Sequence, residues 1–222
     1  MRVKGWAVGR RAAGLLAATA LLAGCGSSAK QAATTAPAAS GAPETPASGL
    51  HGLVPTPLPV KPRFTLTDTA GRPYDFDAAT AGKLTYLFFG YTHCPDACPA
   101  TMSYLAYALR TMPAAVRKQV DVVFVSVDPR RDTSSVIRTW LNHYNRSFVG
   151  VRGTVQQIGV LEHEAGVPTA VAVRHKGSVR YQVEHSSILF VYSPDDRAHV
   201  VYAQGFRAVD YAHDMPLLLK FR

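Results

Sequence analysis

Apolar residues gather in runs of strand length, separated by stretches whose spacing suits helices and turns. Lys83-Leu84-Thr85-Tyr86-Leu87-Phe88-Phe89-Gly90 is nearly continuous in apolar character, as a strand covered on both faces should be. Val120-Asp121-Val122-Val123-Phe124-Val125-Ser126-Val127 reads as the next strand. Ser187–Tyr192 and His199–Ala203 flank Ser193-Pro194-Asp195-Asp196, which predicts an antiparallel pair. Phe64-Thr65-Leu66-Thr67-Asp68 and Pro73-Tyr74-Asp75-Phe76, joined through Ala70-Gly71, predict an N-terminal hairpin. Helices are expected from about Pro99 to Met112 and from a cap at Asp132-Thr133-Ser134 to about Tyr144. A capping box, Thr154-Val155-Gln156-Gln157, opens a further helix to about Ala165, and Asp210 to Lys220 closes the chain. The sum is an α/β fold in three layers, a central mixed sheet flanked by helices. It carries an N-terminal hairpin and an insertion, 166–183, before the last hairpin.

The periodicity is absent from the first sixty residues. Arg2, Lys4, Arg10 and Arg11 precede the apolar stretch Ala12–Ala23, which is too short to span a bilayer and reads as a secretory leader over residues 1–24. Leu22-Ala23-Gly24-Cys25 looks like a bacterial lipobox, so Cys25 is the expected lipidation site after cleavage. Several acyl chains on one terminus anchor stably where one does not. An uncleaved anchor helix is the alternative and gives the same compartment. Residues 25–62 are rich in Ala, Pro, Ser and Thr and are expected as a disordered tether, leaving 63–222 as one domain.

The formal charge of +9 falls to +5 when the leader and its four cations are removed. A modest positive balance suits a protein near an anionic membrane surface. No Lys/Arg run interleaved with aromatics is present, which argues against nucleic acid as a partner.

The chain has three cysteines. With Cys25 assigned to lipid, Cys94 and Cys98 remain, and in an oxidising compartment such a pair has three fates: structural disulfide, redox couple or metal site. A bridge four residues apart closes too small a loop to constrain the unfolded chain much. The pair follows an apolar strand and opens a helix, the place where thioredoxin-like folds keep reactive thiols. Strand, helix, strand, helix, hairpin and helix is also the thioredoxin order. Pro95 and Pro99 predict that the helix starts at Pro99, with both thiols in the turn ahead of it. A helix N-terminus stabilises thiolates, which serves metal binding and disulfide exchange alike. The spacing C-x-x-x-C, in place of C-x-x-C, leaves room for an ion between the sulfurs while still allowing a disulfide.

Three segments resemble the SCO/SenC family: Phe89-Gly90-Tyr91-Thr92-His93-Cys94-Pro95-Asp96-Ala97-Cys98-Pro99, Ser126-Val127-Asp128-Pro129-Arg130-Arg131-Asp132-Thr133, and Glu184-His185-Ser186-Ser187. Their order spans nearly the whole domain. The resemblance implies a thioredoxin fold with metal ligands Cys94, Cys98 and His185, holding one copper as Cu(I) or Cu(II). Two thiolates and an imidazole are a soft set suited to Cu(I). It further implies a lipid-anchored metallochaperone, not an enzyme in the strict sense, on the extracytoplasmic face of a bacterial membrane. The implied partner is cytochrome c oxidase subunit II, whose binuclear copper site it would fill. The same resemblance implies another copper chaperone or a thiol reductant as a further partner. The alternative function is a thiol–disulfide reductase acting through Cys94 and Cys98 to keep the target's copper-ligand cysteines reduced. A peroxidase reading is disfavoured by Tyr91, where a Thr or Ser would be expected, and a sensory role leaves no mark.

Among other residues, His93 is the rival ligand, expected to point away from the thiols. Asp132 is expected as a helix cap, and Asp128 as either a cap or a loop tie. Phe89 and Tyr91 are expected in the core, and Pro168 as an ordinary turn proline. The basic insertion, with Arg174, His175, Lys176 and Arg180, departs from the acidic, tyrosine-containing segment expected in the family.

Overall fold

The computed structural model describes residues 49–222 apart from His175 and Ser178. The expected leader, Cys25 and residues 26–48 lie outside the described residues. Strands β1 (Thr65–Asp68) and β2 (Pro73–Asp75) form the expected hairpin, with Leu66 opposite Tyr74. The Asp68 carboxylate sets the turn by accepting from the backbone N–H of Ala70 and of Arg72, each at 2.8 Å. Asp75 then caps the short helix α1 (Phe76–Ala79).

Strand β3 (Leu84–Gly90) is buried at every position, as its unbroken apolar run requires. Helix α2 (Ala97–Thr111) and the single turn α3 (Ala114–Arg117) lead to β4 (Val120–Ser126), which lies parallel to β3 from Leu84 opposite Val120 to Gly90 opposite Ser126. Helix α4 (Ser134–Asn142) packs on the next parallel strand, β5 (Val149–Arg152). Strand β5 was not expected: it is four residues long and interrupted by Gly150, so it has no readable period. A Cβ at Gly150 would stand 2.3 Å from Ile137 and 2.9 Å from Leu141, so the glycine lets α4 approach.

Helix α5 (Val155–Glu164) opens with the expected capping box at Thr154 and Gln157. The insertion folds as a separate two-stranded ribbon, β6 (Val171–Val173) against β7 (Gln182–Glu184). Strands β8 (Leu189–Tyr192) and β9 (Ala198–Tyr202) form the last hairpin, and α6 (Ala208–Leu218) packs against α2. The main sheet has the order β2-β1-β5-β4-β3-β8-β9, parallel through its centre and antiparallel at its flanks. Among the described residues no helix is long and apolar enough to cross a membrane.

Three expectations need correction. Residues 49–62, read as tether, instead line the sheet. Leu50 is buried, Leu53 exchanges two backbone hydrogen bonds with Val201 (2.9 and 2.8 Å), and the Lys61 N–H donates to Asp196 O at 2.8 Å. Short apolar residues between prolines have no period, but they can still cover the open edge of β9. Helix α2 starts at Ala97, not Pro99, because a proline in the first helical turn gives up an N–H that has no intrahelical acceptor there. The N-cap of α4 is Thr133, whose side chain accepts from Val136 N, and Asp132 is released for another role.

Candidate metal centre

Because β3 and β4 are parallel, their carboxyl ends lie side by side, and Val127 N donates to Gly90 O at 2.8 Å. The cysteine loop and the Asp128–Asp132 loop therefore leave the sheet together. Strand β8 runs antiparallel to β3, with Leu189 opposite Phe88, so its start meets the end of β3. That register carries His185, four residues before β8, to the cysteine loop. Among eight histidines, it is the position of His185 just before β8 that brings it to the thiols.

The donor atoms of Cys94, Cys98 and His185 all lie within 4.8 Å of one another. Cys98 Sγ is 3.6 Å from His185 Nε2, and the Cys98 N–H donates to Cys94 Sγ at 3.4 Å. His185 Nδ1 is 2.7 Å from Ser186 O, a contact that places the ring proton on Nδ1 and leaves Nε2 free to face the sulfurs. Edge-on packing against Tyr91 (centroids 5.4 Å apart) and Phe88 (6.4 Å) holds the imidazole upright. Both thiols are free; Cys94 is half-buried and Cys98 fully buried. Gly90 makes room for the inner sulfur, since a Cβ there would stand 2.9 Å from Cys98 Sγ.

The electrostatics are asymmetric. The hydrogen bond from Cys98 lowers the Cys94 pKa to about 4; His185 and the N–H groups of Cys98 and Asp96 assist against the opposing effect of burial. Burial pushes Cys98 the other way, and the Cys94 thiolate beside it reinforces that. Burial works against protonation of His185, but the hydrogen bond to Cys94 and the Ser186 carbonyl outweigh it and raise its pKa. The two sulfurs are thus set apart, Cys94 toward the thiolate and Cys98 toward the thiol.

Asp132 is buried beneath this loop. Its carboxylate accepts from Thr92 N (3.0 Å), Thr92 Oγ1 (2.6 Å) and Ser126 Oγ (2.7 Å), tying the residue two before Cys94 to the end of β4. Asp128 is a loop tie: it accepts from Tyr181 Oη at 2.8 Å and pairs with Arg131. Arg131 in turn lies 3.7 Å over the Tyr181 ring and donates to Tyr181 O at 3.0 Å. Tyr181 stands at the end of the insertion, three residues before Glu184, so these contacts fasten the segment that carries His185. Sequence reasoning carried Ser186 only as a motif neighbour of His185 and missed Tyr181, for which the one available signal was a tyrosine inside the basic insertion.

The rival His93 is half-exposed; it contacts Thr92 Oγ1 at 3.1 Å and Asp132 Oδ1 at 3.7 Å, outside the convergent group. Phe89 is core, as expected, while Tyr91 is both core and a wall of the site. Pro168 lies in the coil between α5 and β6.

The SCO1/SenC family model matches residues 55–219. A protein of Stutzerimonas stutzeri is 34% identical over 141 residues, which is 63% of this chain and 68% of that one. The copper-bound ScoI of Bradyrhizobium japonicum superposes with a TM-score of 0.63 at 29% identity, covering 72% of this chain and 99% of its own. The apo Sco1 protein of Thermus thermophilus gives 0.67 at 28% identity, covering 77% and 97%. With a thioredoxin-like fold, two cysteines at the end of β3 and a histidine brought against them by β8, this chain belongs to the SCO1/SenC family.

Proposed function

We propose that the protein is a lipid-anchored metallochaperone that takes up one copper at Cys94, Cys98 and His185 and passes it to the binuclear copper site of cytochrome c oxidase subunit II. The observation that carries this reading is the convergence of two sulfurs and one imidazole nitrogen within 4.8 Å, with His185 oriented by its own backbone neighbour. A three-donor soft set suits Cu(I), and the half-buried Cys94 gives an incoming thiolate a point of entry. Transfer by ligand exchange forms one copper–sulfur bond on the target as one to Cys94 breaks, with no change of oxidation state. Cleavage before Cys25 and its acylation would hold the domain on the extracytoplasmic face of a bacterial membrane. Copper titration of the full chain with its cysteines reduced tests the site. One Cu(I) per chain is expected, Cu(II) at the same ligands should show strong thiolate-to-copper charge transfer, and unchanged Cu(I) affinity and charge-transfer spectrum in Cys94→Ser or His185→Ala would overturn the assignment.

A second reading, thiol–disulfide reductase, is favoured by the asymmetry of the pair. The Cys94 thiolate would attack a target disulfide, and Cys98 would displace the target's sulfur, leaving Cys94 and Cys98 oxidised and the target reduced. A thiol reductant would then restore the pair. This activity needs no His185 ligand, so His185→Ala separates the two: copper binding is lost and disulfide reduction kept.

A further inference from the structure

A second group of donors stands where the segment before β1 meets α6, away from the cysteines. His51, His213 and Asp214 each offer one ligand atom, and the three atoms lie within 4.8 Å of one another. The two imidazoles stack at 3.8 Å with 9° between their planes. Each ring has a carboxylate on Nδ1: Asp210 Oδ1 at 3.0 Å from His51, and Asp214 Oδ1 at 2.8 Å from His213. A carboxylate on one ring nitrogen orients a metal-ligating histidine, which is the relation of Asp210 to His51; the 2.8 Å between His213 Nδ1 and Asp214 Oδ1 is instead the spacing of two donors that can share one ion.

Asp214 is fully buried and rigidly held. Its Oδ2 accepts from Gly52 N (2.9 Å), Tyr202 Oη (2.7 Å) and His51 N (3.0 Å), while Oδ1 accepts from His51 N (2.9 Å) and meets His213. The side chains of His51 and His213 are 40% and 43% exposed, so an ion can reach them. Nitrogen and oxygen donors without sulfur suit a borderline divalent ion and not Cu(I).

We propose that His51, His213 and Asp214 bind one divalent transition-metal ion, of the class of Zn2+ or Cu2+, with Asp210 as the carboxylate that positions His51. The site joins residues 163 apart in the chain, clasping the segment at Leu50–Leu53 onto α6. It is independent of the cysteine site and of the chaperone reading.

The test uses the full chain with Cys25→Ser, Cys94→Ser and Cys98→Ser, which removes every thiol. Calorimetric titration with Zn2+ should give one ion per chain, and His51→Ala or His213→Ala should each weaken binding at least tenfold. Asp210→Asn should weaken it by roughly 10- to 100-fold, the usual effect of losing an orienting partner. Cu2+ bound to the same protein should show nitrogen hyperfine structure in its paramagnetic resonance spectrum and no thiolate charge transfer. Zn2+ should also slow amide exchange at residues 50–53 in the parent, a readout that requires no substitution near the site. Zn2+ affinity unchanged in the His51→Ala/His213→Ala double variant, or exchange at 50–53 unchanged by Zn2+, would overturn the proposal.

Discussion

Cys94 and Cys98 share one residue type and one loop, yet their surroundings set them far apart. Thiol reactivity tracks the thiolate fraction. Alkylation of Cys94 should therefore rise as pH rises through about 4 and stay level above it, whereas a free thiol turns over near about 8.5. Cys98, buried and protonated, should not react in the folded protein. His185→Ala removes one hydrogen bond that favours the Cys94 thiolate, so its alkylation midpoint should move upward. A pH series with iodoacetamide and mass mapping measures both effects, and equal labelling of the two cysteines would contradict the asymmetry. Gly90 belongs to the same scale. Gly90→Ala sets a Cβ 2.8 Å from Phe88 and 2.9 Å from Cys98 Sγ, an overpacking expected to cost about 1–3 kcal/mol and to displace the inner donor. A fall in denaturation midpoint together with weaker copper binding would record it.

At the scale of elements, the site depends on loops that other elements hold. Asp132 gathers three donors from the cysteine loop and β4, and its loss leaves them unpaired in a buried place. Asp132→Ala should cost at least ~1–3 kcal/mol. Copper affinity should fall by roughly 10- to 100-fold, as for other orienting partners. Stability from urea denaturation and affinity from competition titration check the two parts. The insertion hairpin works in the same way through Tyr181, Arg131 and Asp128. Tyr181→Phe removes only the hydroxyl contact to Asp128, so it should weaken copper binding more than it lowers stability.

Residues 49–222 are built on a mixed sheet whose β9 edge is closed by residues before the first strand. Leu50 is buried, and Gly52 passes so close to β9 that a Cβ there would stand 2.1 Å from Val200. Leu50→Ala should destabilise the domain by about 2–5 kcal/mol, read as a lower melting temperature with the Cys94 pH profile unchanged. The sequence alone determined the strands β3, β4, β8 and β9, the main helices to within a turn, and the cysteine pair, because long apolar runs, caps and prolines act through near neighbours. It also carried the three motifs by which the family resemblance was recognised. Local signals could not reveal the short strand β5, the edge segment 49–62, the release of Asp132 from capping, or the clasp of Tyr181 on Asp128. Each of these rests on contacts between residues far apart in the chain. The same holds for His185: its identity is written in the sequence, but the antiparallel register of β8 against β3 is what brings its nitrogen to 3.6 Å from a sulfur 87 residues earlier.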